Sequence, residues 1–279
     1  MKRWVVTLFV LFTSIVWGDK PSLLVFAGSA SQPPTEEAAK AFEKKTGIHV
    51  DLIFGGSGYV LSQMKLTHRG DLYFPGSSDY MEKAKREKLV DPKTEKIIVY
   101  LVPAINVRKG NPKNIHTLRD LTRPGVKVAI ANPEGVCVGD YAVEILEKNF
   151  TPKEKEQFRK NLVNYTSSCS KTANAISLNQ ADAVLGWRVF EKWNPDRIQT
   201  VPLKAEEIAR IGYIPIAVSI YSRHPDLARK FIAFLLSPEG KAIFAKYHYL
   251  ATPEQAFAYV GEKKPVGGVY KVPREWLPR

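Results

Sequence analysis

Four short stretches rich in glycine and hydroxyl residues stand where chemistry could occur: AGSASQPP at 27–34, FGGSGYV at 54–60, EGVCVGDYA at 134–142 and SSCSKTA at 167–173. Each lies between an apolar run and an amphipathic one, and so is expected to be a strand-to-helix turn. The first N–H groups of a helix have no partner within it and sit at the positive end of its dipole. Four such turns brought together would form a donor-lined cage for an anion. Taken singly, each also reads as an ordinary helix cap. Gly55-Gly56-Ser57-Gly58 says most, because its glycines allow a backbone to approach a ligand closely. It is not a phosphate-binding P-loop, since no Gly-Lys-Ser/Thr follows at the required spacing.

Residues for other chemistry are sparse. His49, His68, His116, His224 and His248 are scattered without metal-ligand spacing, and no CxxC or G-x-S-x-G occurs. A secreted serine hydrolase using Ser57 is the enzymatic alternative, but no His falls in the four turns to act as its base. Tyr247 and Tyr249 raise a phenolate iron site, against simple packing beside the last helix. The two cysteines are Cys137 and Cys169. Two thiolates without His support make a poor cation site.

The elements that must position these turns alternate. Apolar runs at 22–28, 48–55, 71–76, 97–107 and 126–133 read as strands, and amphipathic runs at 35–45, 58–67, 81–88 and 139–150 read as helices. That order predicts an α/β fold with mostly parallel sheets flanked by helices. Ligands of such sheets sit beyond the carboxyl ends of the strands. The long apolar runs 97–107 and 211–221 read as crossovers between two lobes. Lobe one is expected over 20–103 plus 218–260 and lobe two over 104–217, joined by a two-strand hinge over a cleft. The tail 261–279, rich in Gly, Pro and Lys, is expected to wrap the surface or be loosely ordered.

The first 18 residues set the address. Met1-Lys2-Arg3 precedes an apolar run, WVVTLFVLFTSIVW, and Val16 and Gly18 supply small residues for cleavage after Gly18. This predicts a signal peptide and a periplasmic protein. The run is shorter than the ~20 residues a membrane helix needs. The formal net charge of +13 is spread through Lys/Glu mixtures such as TPKEKEQFRK, which read as solvated helix faces. Export argues against nucleic acid as the partner, while a general attraction for anions remains. In an oxidising compartment the even cysteine count favours a disulfide over separate buried thiols or a direct ligand role.

VDLIFGGSGYVLSQM, GDLYFPGSSDYMEKA, the stretch ending PGVKVAIANP, VGDYAVEIL, ADAVLGW and FIAFLLSPEGKAIF resemble, in order and spacing, the molybdate- and tungstate-binding proteins of ABC importers. The resemblance runs from about residue 22 to 250. It implies the two-lobed type II periplasmic binding fold, a monomer without catalytic activity or cofactor, and a tetrahedral dianion delivered to a membrane permease. Carried over by position, Ser29 and Ser57 would donate hydroxyls from lobe one. A gapless register from Phe26 puts Ala30 in the first slot, whereas the Pro33-Pro34 start is similar to an archaeal tungstate-binding branch that selects Ser29. Val138 and Cys169 would donate backbone N–H groups from lobe two. Trp187 stands where relatives carry a Tyr that contacts the ligand, and Cys137 where many carry Pro. Glu134 and Asp140 fall in the turn from which the tungstate branch draws carboxylates, although helix N-terminal charge pairing accounts for both. A Cys137–Cys169 bridge between adjacent turns would close a loop of about 30 residues, stabilise by ~3–4 kcal/mol and fix both anion-binding amides. Sulfate, phosphate, chromate or a metal cation are the alternative ligands.

Overall fold

The computed structural model describes residues 22–278. The expected signal peptide, 1–18, lies outside them. The first lobe is built from β1 (Ser22–Gly28), α1 (Gln32–Thr46), β2 (His49–Gly55), α2 (Ser57–Thr67), β3 (Leu72–Phe74), α3 (Ser78–Arg86) and β4 (Lys96–Leu101). The chain then crosses into the second lobe: β5 (Pro103–Arg108), β6 (Val128–Ala131), α4 (Cys137–Asn149), α5 (Pro152–Asn161), β7 (Leu162–Thr166), α6 (Cys169–Ser177), β8 (Ala183–Trp187), α7 (Phe190–Trp193) and β9 (Ile198–Pro202). It returns through β10 (Gly212–Val218) and continues as α8 (Pro225–Leu236), α9 (Pro238–Lys246) and α10 (Pro253–Val260).

Each lobe holds one five-stranded sheet, in the orders β2-β1-β3-β10-β4 and β7-β6-β8-β5-β9. β1 pairs parallel with β2 and β3, and β6 pairs parallel with β7 and β8; β10 and β5 run antiparallel to their neighbours. The inner parallel strands β1, β3, β6 and β8 are apolar runs covered on both faces, whereas the edge strands β2 and β7 leave residues such as Asp51 and Val163 exposed. Register levels their carboxyl ends. Gly28 lies opposite Gly55 and Ala27 opposite Phe74, while Ala131 lies opposite Thr166. The turns that leave those ends all open at one crevice between the lobes.

The expected strand 97–107 divides at Val102, which puts β4 in one sheet and β5 in the other. The expected second lobe, 104–217, gives up 212–217 to the first sheet, because β10 pairs with β3 and β4 along its length. The chain therefore recrosses just before Gly212, not within the apolar run.

The tail is neither loose nor merely superficial. Trp276 is fully buried, edge-on to Phe158 at 5.9 Å between ring centres, and its indole N–H donates to Glu147 at 2.7 Å. Ala256 on α10 joins the same second-lobe core. Between them, Val266 bridges to Ile211 at the recrossing, with Ile211 N–H donating to Pro265 O and Gly267 N–H to Ile211 O, both at 2.8 Å. The C-terminal segment thus straps the hinge.

Candidate functional site

The crevice is built from helix starts. α2, α3 and α4 begin after Gly56, Ser77 and Val136, none of which caps its helix with a side chain. Elsewhere Thr151, Ser237 and Thr252 do cap α5, α9 and α10. First-turn amides facing the crevice therefore look outside the helix for an acceptor, as the Gly58 amide does in Gly135 O of the other lobe. Ser168 caps α6 through the Lys171 amide, so that turn spends one of its donors internally.

The lobes meet directly here. Gly58 N–H donates to Gly135 O at 2.9 Å, Asn132 donates its side-chain amide to the Tyr59 hydroxyl at 3.0 Å, and Ser170 Oγ donates to Gln32 Oε1 at 2.7 Å. Ser29 Oγ accepts from the Ser170 amide across the lobes at 3.2 Å, and Ser57 Oγ accepts from the Gly76 amide at 2.9 Å. A hydroxyl has a single proton. Each of these two is already an acceptor, so its own O–H is the group left to donate; that of Ser57 faces the Cys137 sulfur.

Glycines let the turns converge. A Cβ built on Gly56 would lie 2.6 Å from Gly135 O and 2.9 Å from Ser167 O, both backbone atoms of the other lobe. One built on Gly76 would lie 2.6 Å from both Ala30 Cβ and Cys137 Sγ and 3.6 Å from Ser57 Oγ. Ser57, Ala30 and Cys137 therefore share one small space, with Gly76 as its wall.

The structure brings most of the expected residues to this place. Val138 and Cys169 occupy the second position of α4 and the first of α6, and both are buried. Ala30 lies in the 3-10 turn Ser29–Ser31, where its carbonyl accepts from the Tyr249 hydroxyl. Trp187 ends β8, fully buried, packed edge-on to Tyr141 at 4.8 Å, and its indole N–H has no hydrogen-bond partner. The Tyr141 hydroxyl is likewise buried and unpartnered. The expected disulfide is not formed. Cys137 and Cys169 are free thiols with their sulfurs 3.6 Å apart, in contact but well beyond the ~2.05 Å of a bond. Burial, with Cys169 beside it, pushes the Cys137 thiol well up.

Two features were missed in the sequence. The turn Gly76-Ser77 is a further wall of the crevice, and the Ser77 hydroxyl is fully buried without a partner. Its Pro-Gly-Ser-Ser composition matches the other four turns and could have found it. The second feature is Arg210, which had no local pattern to mark it. Its guanidinium bonds both Asp79 oxygens at 3.1 Å, Glu144 at 2.6 Å and Gly268 O at 2.9 Å, and stacks 4.0 Å over Tyr141. It thereby ties α3 of one lobe, α4 of the other and the strap together. Burial opposes its charge, but Tyr141, Asp79 and Glu144 outweigh that and hold it protonated. Asp140, buried beside this group, has its carboxyl pushed well above the usual range by desolvation and by Asp79. Glu134 is exposed.

Neither His68 nor His224 stands beside Ser57. His68 lies at the far end of α2 from Ser57, roughly 16 Å along the axis. His224 lines, with His68, Arg69 and Arg223, a pocket at that far end. The tyrosines are engaged elsewhere: Tyr247 donates to Glu37 at 2.8 Å and Tyr249 to Ala30 O. Among the described residues, no three His, Cys, Asp or Glu side chains converge as a metal site.

The family described as bacterial extracellular solute-binding protein matches residues 23–250. A putative binding protein of Haemophilus influenzae is 26% identical over 254 residues, covering 90% of this chain and 99% of its own. A molybdate-binding protein of Mycobacterium tuberculosis is 25% identical over 223 residues, covering 80% and 82%. Among solved structures, the sulfate-binding protein of Mycobacterium tuberculosis superposes with a TM-score of 0.73 at 17% identity, covering 88% of this chain and 93% of that one. These similarities agree with the two-lobed type II periplasmic binding fold seen here.

Proposed function

The chain belongs to the bacterial extracellular solute-binding proteins, and from that membership we propose that it captures a tetrahedral oxyanion, molybdate or tungstate, between its lobes and passes it to the permease of an ABC importer. One observation carries the reading: Ser29 and Ser57 each accept an amide N–H and keep a proton to give, beside the uncapped starts of α2 and α4. A site of donors favours an anion without protons of its own, because a protonated ligand needs an acceptor. The M. tuberculosis relatives, named for molybdate and for sulfate, point to the same class of ligand.

Capture follows from the two lobes. The anion first meets the amides of one lobe; bending at 101–103 and 210–212 then brings up the other. Closure removes water, and donor geometry selects charge and size. Val138 and Cys169 contribute backbone N–H groups from lobe two. The unpartnered indole of Trp187 is the donor that stands in for a tyrosine hydroxyl. In an oxidising compartment the cysteine pair has a bridged state open to it, which would tie the starts of α4 and α6 together.

Calorimetric titration with molybdate, tungstate, sulfate, phosphate and chromate tests the proposal. Saturable heat strongest for molybdate or tungstate is expected. Heat with none of the five refutes the oxyanion reading, and a tighter sulfate complex replaces the ligand while keeping the class.

A further inference from the structure

We propose that Cys137 and Cys169, when reduced, make this cage a site for a second ligand class: a trivalent, thiophilic oxyacid of the arsenite kind. The proposal rests on the oxyanion reading only for the entry route, through the same opening lobes.

The two thiols are the unused nucleophiles of the crevice. Each is the first residue of a helix that faces it, α4 and α6. Both are about 1% exposed. Their sulfurs are 3.6 Å apart, and Cys137 Sγ also abuts the Gly76 and Ala30 wall of the opposite lobe. The pair therefore sits between the turns, not behind them.

That separation selects geometry. With sulfur bonds of about 2.3 Å, linear two-coordination would hold the sulfurs ~4.6 Å apart, whereas a pyramidal or tetrahedral centre holds them ~3.5–3.8 Å apart. The observed 3.6 Å suits a bent centre. A divalent cation such as zinc needs four ligands, and among the described residues no third His, Cys, Asp or Glu joins the pair. A trivalent oxyacid brings its own remaining oxygen and needs only two sulfurs. The step is a condensation: As(OH)3 plus two thiols gives a dithiolate As–OH and two waters. Two As–O bonds break and two As–S bonds form, each thiol proton leaves in a water molecule, and nothing is oxidised or reduced.

The test uses full-length protein reduced and kept under anaerobic conditions, titrated with sodium arsenite. Heat and the near-ultraviolet sulfur-to-arsenic absorption report uptake. Stoichiometric uptake is expected, lost in Cys137→Ser and in Cys169→Ser, whose folding is checked by melting temperature. Wild-type protein oxidised by glutathione disulfide should also take up none, which makes the same point without a substitution. Preloading with molybdate should suppress uptake. No saturable uptake by reduced wild type, or uptake kept in either serine variant or in the oxidised protein, overturns the thiol site. Uptake undiminished by bound molybdate overturns its placement in the cage. A molybdate titration run alone separates the two readings: arsenite uptake without molybdate heat leaves the thiol site standing and removes the oxyanion reading.

Discussion

Gly56→Ala should weaken ligand binding while leaving the separate lobes intact. Gly56 has φ −63° and ψ 140°, a conformation any residue adopts, so alanine strains no backbone. The added methyl would instead lie 2.6 Å from Gly135 O and 2.9 Å from Ser167 O, both on the second lobe, and 2.8 Å from the Tyr59 ring on its own. The ring can turn away, but the two carbonyls belong to the starts of α4 and α6 and cannot yield without opening the crevice. Overpacking of this kind costs about 1–3 kcal/mol. Here the cost falls on the closed state alone, so it passes into affinity at about 1.4 kcal/mol per tenfold, or roughly 5- to 150-fold weaker binding. Calorimetry with molybdate measures the affinity, and small-angle scattering follows closure. Unchanged affinity would refute the view that these turns must touch in the bound form. Equal destabilisation of the ligand-free protein would place the clash within one lobe and refute it equally.

Further outcomes follow from other features. Trp276→Ala should destabilise by ~3–5 kcal/mol, because a fully buried ring leaves a cavity; denaturant unfolding reads it, and a loss near zero would mean that the strap is dispensable to lobe two. Asp140 holds its proton more tightly folded than unfolded, so the folded state binds more protons above the unfolded value near 4 and stability falls as pH rises. Asp140→Asn should therefore raise the melting temperature at pH 7, with the gain vanishing toward pH 4; an unchanged or lower melting temperature at neutral pH would show that Asp140 is ionised and stabilising. Thiol titration of freshly isolated, denatured protein distinguishes two reactive thiols from the bridged state proposed for the exported form, in which none react.

Alternation of strand and helix was legible because the inner parallel strands, buried on both faces, must be apolar and short, and their helices need one polar face. The crevice turns were legible for a related reason: close approach of backbone to backbone demands glycine and small hydroxyl residues, and 27–34, 54–60, 134–142 and 167–173 all carry them. What composition could not show was where an apolar run changes sheets. Residues 96–108 read the same on either side of Val102, and only pairing separates β4 from β5. The apolar run of β10 would have suited either lobe. Arg210 was silent because its partners, Asp79, Glu144 and Gly268, are distant in sequence. Trp276 was hidden in a segment whose glycines, prolines and lysines outweigh one aromatic. The cysteines were placed in the right turns, but their state depends on distance, which sequence does not carry.

The strap changes what opening the molecule entails. A pair of lobes joined by two strands can swing apart by bending those strands alone. Here the chain's own end also lies across the recrossing, paired to Ile211, held by Arg210 through Gly268 and anchored by Trp276. Any swing that separates α3 from α4 must also break the Arg210 contacts, which bind both helices and the strap at once. Opening therefore costs the Arg210 contacts as well as the bending of two strands, and the last residues of the chain, bonded to Ser78 and Asp79 at the start of α3, share in holding the crevice shut.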